Sequence, residues 1–186
     1  MKLTIGHLYP ELLNLYGDRG NIQCMMKRSL WRGIEAETIA FGLEDSIDFS
    51  KLDIVLLGGG SDREQRIVCS RLRDIRENFH HYVEDGGSVL AVCGGYQLLG
   101  DELSDPHGRE GAGTARGLGL IPASTVFKEE KHLAQSELRI TGAQGAFSVW
   151  NGMTARGYEI HDGETTVSCD PAGTIGGNPE GAACGN

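Results

Sequence analysis

One cysteine, Cys93, stands where a side chain could act as a nucleophile. The apolar run at residues 88–92 predicts a strand, and Gly94 and Gly95 lead from Cys93 into a predicted helix at residues 96–100. Such a sharp turn holds a side chain out of the sheet and aims the next backbone N–H at the group under attack. The start of a helix also favours the thiolate, which is the attacking form of cysteine. We therefore interpret Cys93 as a nucleophile.

A second glycine-rich turn, at residues 58–60, follows a run at residues 52–57 that is apolar except for one early charge, Asp53. The carboxyl ends of parallel strands gather at one edge of a sheet, where ligands bind. Gly94, with Gly59 or Gly60, could then offer backbone N–H groups to an oxyanion beside Cys93. A flexible turn and a phosphate cradle are the alternatives for the glycine run alone, although the Lys-Ser/Thr of a Walker loop is missing. The two turns together favour acyl transfer.

The elements that must position these turns alternate between strands and helices. Further strands are predicted at residues 3–8 and 36–41, and a helix within residues 20–33. Ser61 and Glu64 have the spacing of a capping box, which predicts a helix toward Asn78, with a separate stretch at residues 79–84. Strands separated by helices indicate an α/β fold with a mostly parallel sheet flanked by helices.

The second half of the chain is predicted to be richer in β-structure and to lean toward antiparallel pairing. Strands are predicted at residues 117–122, 124–127, 137–141 and 155–161, whereas residues 171–186 lack apolar periodicity and are predicted as a loop. No repeat or clean linker divides the sequence. We expect one domain over residues 1–186 that stops short of a finished C-terminal end.

Composition excludes several classes of function. The net charge of −9 disfavours a general binder of nucleic acid or anionic membranes, which needs a basic surface. There is no signal-length apolar run at the N-terminus and no run of about 18 apolar residues, so we expect a cytoplasmic protein without membrane insertion. In that reducing compartment, all five cysteines are expected to be thiols, and their spacing suggests no metal site.

Several motifs resemble those of a known family. Residues 91–100, Ala-Val-Cys-Gly-Gly-Tyr-Gln-Leu-Leu-Gly, are similar to the nucleophile motif of class I (triad) glutamine amidotransferases of the cobyric acid synthase-like branch. Residues 12–21 and 58–65 narrow the resemblance to the GatD family, the glutaminase subunits of lipid II isoglutaminyl synthase. Residues 117–120 and 157–161 also match this branch. The resemblance covers essentially the whole chain and implies a flavodoxin-like core.

The resemblance implies hydrolysis of L-glutamine to glutamate and ammonia through a thioester on Cys93, without a cofactor. Gly94, with Gly59 or Gly60, would bind the oxyanion, and Tyr96 and Gln97 would shape the glutamine pocket. A basic residue near the substrate is matched by spacing only at Lys131. The ammonia would pass to a MurT-like Mur ligase subunit, which forms a heterodimer with the glutaminase and uses ATP to amidate the D-glutamate of lipid II in peptidoglycan synthesis.

One family feature is missing from the sequence. The histidine that acts as the base belongs to a Tyr-x-His-Gly motif, which residues 1–186 do not contain, and we expect it beyond Asn186. His161 is a weak substitute. The third group of the triad, a carboxylate, is assigned to no Asp or Glu of the chain, because the partner subunit could supply it. The alternatives are the amidotransferase part of a cobalamin-pathway amidase, and a binding module that has lost turnover.

Overall fold

The computed structural model describes residues 2–15, 18–108 and 113–184. The chain divides into two compact units, Met1–Leu99 and Gly100–Asn186. That the two form one domain, as expected from the sequence, stays a prediction. Within the described residues, no helix combines the length and the apolar character needed to cross a membrane.

The first unit contains a parallel sheet flanked by helices, as predicted. Its strands, in the spatial order β2-β1-β3-β4, are β1 (Lys2–Leu8), β2 (Glu35–Phe41), β3 (Ile54–Leu57) and β4 (Ser88–Ala91). Its helices are α1 (Asp18–Trp31), α2 (Asp62–Glu84) and α3 (Gly94–Leu99), with a 3₁₀ turn at Phe49–Lys51. Leu57 pairs in register with Leu8 on one side and Ala91 on the other. Three strands therefore end at the same level, and the two glycine turns begin there.

Helix α2 differs from the prediction, because it continues past Asn78 as one helix of 23 residues. The capping box is confirmed: the Ser61 hydroxyl accepts from Glu64 N, and the Glu64 carboxylate accepts from Ser61 N. Phe79 and Tyr82 extend the buried face of the helix and pack on the ring of Phe49. This continuous apolar stripe stabilises the helix across the point where local sequence predicted a break.

The second unit is built mainly from strands, and most of their pairings are antiparallel, as predicted. The strands are β5 (Glu102–Asp105), β6 (Gly113–Arg116), β7 (Ala123–Ile140), β8 (Thr154–Val167), β9 (Gly173–Ile175) and β10 (Asn178–Glu180), with a 3₁₀ turn at Gly145–Trp150. Their order is β10-β9-β7-β5-β6, with β8 paired to β7. Two of the predicted strands merge into β7, since its long pairing with β8 supplies hydrogen bonds that the local pattern does not reveal.

Three predictions for this unit are wrong. Residues 117–122 form no strand, and the loop predicted at residues 171–186 contains the hairpin of β9 and β10. Cys169 and Cys184 are joined in a disulfide, with Cα atoms 5.5 Å apart, rather than remaining thiols. The bridge between Asp170 and Ala183 brings the two cysteines together, a tertiary pairing that their spacing of 15 residues does not disclose.

Candidate active site

Cys93 lies on a strained turn between β4 and α3. Its φ of 50° is in the left-handed region, which non-glycine residues rarely adopt, and among the described residues only Tyr9 shares this property. The turn is closed by hydrogen bonds from Gly95 N to Val92 O (2.9 Å) and from Gln97 N to Cys93 O (3.1 Å). The Cys93 residue is half-buried. This is the geometry of a nucleophile elbow, in which strand and helix hold one side chain out at the sheet edge.

The two glycines after Cys93 make room for protein atoms. A Cβ on Gly94 would lie 2.6 Å from Gln65 Nε2 and 3.2 Å from Gly60 N. A Cβ on Gly95 would collide with the carbonyl oxygen of Leu57 and lie 2.7 Å from that of Gly58. These two glycines therefore allow the elbow to pack directly on the turn after β3.

The glycine turn after β3 is held from the loop that follows β1. Leu15 N donates to Gly59 O (3.0 Å), and Gly59 N donates to the carboxylate Oδ2 of Asp18 (3.3 Å). Asp18 is completely buried at the start of α1. A Cβ on Gly58 would lie 2.8 Å from Asp18 Cγ and would also collide with the Leu13 carbonyl. The close backbone approach therefore requires glycine.

The backbone N–H groups of the two glycine turns differ in whether they already have a hydrogen-bond acceptor. The N–H of Gly59 is engaged by Asp18. For Gly60 N and Gly94 N, no hydrogen-bond acceptor is found among the residues that the structure describes. The Gly60 nitrogen lies next to the elbow, 3.2 Å from the position of a Gly94 Cβ. Two such donors next to a cysteine elbow can stabilise a tetrahedral oxyanion.

The side chain of Gln65 lies between the two turns. Its Nε2 donates to Gly60 O (3.1 Å), and its side chain is buried against Gly94. Neither Gln65 nor Asp18 was proposed as a site residue from the sequence. Both belong to stretches that resembled the family, yet only the contacts show that Asp18 holds one glycine amide and Gln65 one glycine carbonyl.

Histidine 7 adds a titratable group close to this loop. It lies on β1, is 4% exposed, and its Nε2 has no hydrogen-bond partner among the described residues. Burial lowers the pKa of His7, and the nearby Asp18 carboxylate opposes that shift only in part. The neutral imidazole is therefore the favoured form in the folded protein.

The remaining residues predicted from the sequence lie in both units. Tyr96 is half-buried on α3, and Gln97 is buried there with its Oε1 unpartnered among the described residues. Lys131 is exposed on β7 of the second unit. His161 is half-buried on β8, with its Nδ1 2.8 Å from Gly163 O.

Comparison with known proteins gives a consistent result. The CobB/CobQ-like glutamine amidotransferase domain matches residues 4–186. The GatD subunit of lipid II isoglutaminyl synthase (glutamine-hydrolyzing) from Staphylococcus aureus strain N315 is 36% identical over 164 residues, which are 88% of this chain and 62% of the relative. The corresponding subunit of Streptococcus pneumoniae is 34% identical over 176 residues, 94% of this chain and 64% of the relative. The chain thus spans less than two thirds of the length of these relatives.

Cobyric acid synthase of a Polaromonas species (strain JS666) is 37% identical, but over only 63% of this chain and 23% of its own length. Among solved structures, the glutaminase domain of a Trypanosoma brucei CTPS with bound acivicin superposes with a TM-score of 0.52. It covers 87% of this chain and 67% of that structure, and at 12% identity it shows the fold alone. The match over residues 4–186 and the shared fold show that the chain belongs to the family of CobB/CobQ-like glutamine amidotransferase domains.

Proposed function

We propose that this chain hydrolyses L-glutamine to glutamate and ammonia, as the glutaminase component of a ligase of the lipid II isoglutaminyl synthase type. The observation that carries the proposal is the strained Cys93 elbow, packed against a glycine turn with the N–H groups of Gly60 and Gly94 close together. The similarity to GatD subunits over 88% and 94% of the chain supports the type of ligase, since the cobyric acid synthase match covers only 63%.

The reaction begins with attack of the Cys93 thiolate on the side-chain amide carbon of glutamine. The carbonyl oxygen becomes an oxyanion, which accepts hydrogen bonds from Gly60 N and Gly94 N, while Gly59 N remains bound to Asp18. The C–N bond then breaks, ammonia leaves with an added proton, and a glutamyl thioester remains on Sγ. Water cleaves the thioester to release glutamate and the thiol. No described histidine is assigned the proton transfers, because none stands in the Tyr-x-His-Gly motif.

Specificity for glutamine is assigned to the residues around α3. Tyr96 and Gln97 follow the elbow directly, so their positions depend on the same backbone that orients Cys93. The Oε1 atom of Gln97 is buried without a partner among the described residues and would have to be compensated by substrate or water. Lys131 is retained as a candidate for the substrate carboxylate on the basis of the family resemblance.

The ammonia acceptor in this proposal is a MurT-like Mur ligase subunit that forms a heterodimer with the chain in the cytoplasm. The S. aureus and S. pneumoniae relatives are named as subunits, which supports the existence of a partner. The partner would supply ATP-dependent activation of the D-glutamate carboxylate of lipid II. The glutaminase itself then needs only to release ammonia.

The first test is covalent labelling by acivicin, which requires the nucleophile and the glutamine pocket but not complete turnover. We expect one adduct, located on Cys93 by peptide mass spectrometry and suppressed by L-glutamine but not by D-glutamine. Cys93→Ala should abolish the adduct, whereas Cys24→Ala, which removes an exposed thiol, should not. Labelling of several cysteines, without protection by glutamine, would overturn the site.

The second test measures ammonia release from L-glutamine together with a MurT-like ligase, ATP and lipid II. Glutamine-dependent amidation that requires Cys93 supports the full proposal. Ammonia release that depends on Cys93, without amidation of lipid II, would reject this acceptor and favour the cobalamin-pathway amidase, tested with a cobyrinate substrate. Glutamine binding without ammonia release, also in a chain extended by a segment that carries the Tyr-x-His-Gly motif, would identify a binding module.

A further inference from the structure

Three potential metal ligands converge on one face of the β7–β8 pair in the second unit. His132 of β7 lies directly opposite His161 of β8 in the antiparallel register, and Glu159 is two residues before His161. Because side chains alternate along a strand, Glu159 and His161 share a face, and the register places His132 on that face too. Ala134, opposite Glu159, carries only a methyl group and leaves room there.

The distances between the three ligand atoms are compatible with a bound metal ion. Nε2 of His132 and Nε2 of His161 each lie 3.4 Å from the same oxygen, Oε1 of Glu159. The three ligand atoms all lie within 4.8 Å of one another. Ligands about 2.0–2.1 Å from a tetrahedral Zn²⁺ ion are separated by about 3.3 Å. The two distances from Glu159 Oε1 to the histidine Nε2 atoms are already close to this separation.

Hydrogen bonds to neighbouring residues orient the ligand side chains for metal binding. Nδ1 of His161 is 2.8 Å from the carbonyl oxygen of Gly163, a contact that places the ring proton on Nδ1 and leaves the lone pair on Nε2. The Ser136 hydroxyl donates to Oε2 of Glu159 (2.7 Å), so that Oε1 faces the two rings. Histidine ligands usually donate their second ring N–H to a carbonyl or carboxylate, and ligating carboxylates are usually hydrogen-bonded in turn.

We propose that His132, Glu159 and His161 bind one Zn²⁺ ion through Nε2, Oε1 and Nε2, with a water molecule in the fourth position. Two imidazoles and a carboxylate form a ligand set that suits Zn²⁺, whereas Mg²⁺ and Ca²⁺ prefer oxygen alone. The side chains are 52%, 23% and 37% exposed, so the ion enters from solvent.

The position of the site suggests what the ion does. The β7–β8 register is interrupted between Phe127 and His132, where β7 carries extra residues relative to β8. Pairing resumes at the His132–His161 pair. An ion held by both strands cross-links them at the first pair after this irregularity, where a bulge otherwise weakens the ladder.

The test is Zn²⁺ titration of the untagged chain, freed of metal with EDTA, in competition with a chromophoric chelator. All titrations should use protein that carries the Cys93→Ala substitution, so that the thiol at the elbow cannot bind the ion. We expect one equivalent of Zn²⁺, no competition from millimolar Mg²⁺ or Ca²⁺, and a higher Tm in the bound form. Co²⁺ should give the visible absorption of a four-coordinate site.

His132→Asn, Glu159→Gln and His161→Asn should each weaken Zn²⁺ binding by about 100-fold or more, and Ser136→Ala by about 10-fold. The matched control is His107→Asn, which removes a histidine that also lies 3.4 Å from a carboxylate, that of Glu129, but has no second imidazole in the cluster. It should bind Zn²⁺ as the parent does. Circular dichroism checks that each variant is folded. Binding weaker than millimolar, or equal losses in the control, would overturn the proposal.

Discussion

The two units of the chain are stabilised in different ways. In the first, helices cover a parallel sheet. Among the residues that the structure describes, most of the buried apolar side chains belong to this unit. In the second, only four described apolar side chains are buried, while Leu133 and Tyr158 in the β7–β8 pair are 70% and 72% exposed. A long strand ladder and the Cys169–Cys184 disulfide hold the second unit instead.

The difference shows where each kind of chemistry can be placed. A strained elbow such as Cys93 needs surroundings that resist relaxation, and the close-packed backbone at Gly58, Gly60, Gly94 and Gly95 supplies them. The polar face of β7 and β8 lacks such packing, so it suits ligands that are ordered by hydrogen bonds and metal coordination. Substitutions in the first unit should therefore affect reactivity through backbone position, and those in the second should affect stability.

The largest effect is expected for Cys93→Ala. Glutamine hydrolysis should fall to background, a loss of about 10³-fold or more, because no thioester can form. The free energy of unfolding should change by less than about 1 kcal/mol, since a small half-buried side chain contributes little packing. Ammonia release and urea unfolding measure the two effects. Glutamine hydrolysis retained by this variant would show that Cys93 is not the nucleophile.

Gly94→Ala tests whether backbone packing positions the oxyanion donors. The new methyl group would press on Gln65 and the Gly60 amide, and we expect kcat to fall by about 10²-fold with a loss of stability of about 1–3 kcal/mol. Gly20→Ala is the matched control, because no atom lies within 4 Å of its Cβ position in α1. That substitution should stabilise the protein by about 0.4–1 kcal/mol. Similar kinetics for both variants would contradict the packing argument.

Removal of the disulfide tests the second unit. Cys184→Ser opens a loop with a sequence separation of 15 residues, and the expected loss is about 3 kcal/mol. Urea unfolding of the oxidised parent and the variant measures this difference. Cys24→Ser, a change at an exposed thiol, should leave stability unaltered. A parent whose stability does not respond to reductant would show that the strand ladder alone holds this unit.

The smallest effect is a pH dependence of stability due to His7. The pKa of His7 is lowered from its ordinary value of 6.5 by burial, so at mildly acidic pH the unfolded chain binds a proton that the folded chain does not. The free energy of unfolding should therefore be largest above about pH 6.5 and fall as the pH drops below it. Urea titrations from pH 5 to 8 should show a shallower slope for His7→Gln than for His81→Gln, which removes an exposed histidine. Equal slopes for the two variants would show that His7 does not cause the pH dependence of stability.

Much of the first unit followed from local sequence patterns. The apolar run that ends at Leu57, the capping box at Ser61 and the turn at Cys93 each depend on neighbours in the chain, and all three are present in the structure. The elbow at Cys93 was therefore predictable from its position between a strand and a helix. The second unit was predicted less well, because its long pairings and its disulfide join residues whose partnership no local pattern encodes.

The sequence by itself determined the alternation of strands and helices in the first unit, the two glycine turns and the cysteine at the elbow, because each reflects short-range backbone preferences. Only the tertiary structure decided that Asp18 occupies the Gly59 amide, that Gln65 spans the two turns, and that His132 lies opposite His161. Those relations depend on how distant segments pack and on strand register. Backbone propensity and hydrophobic periodicity determine neither the packing of distant segments nor the strand register.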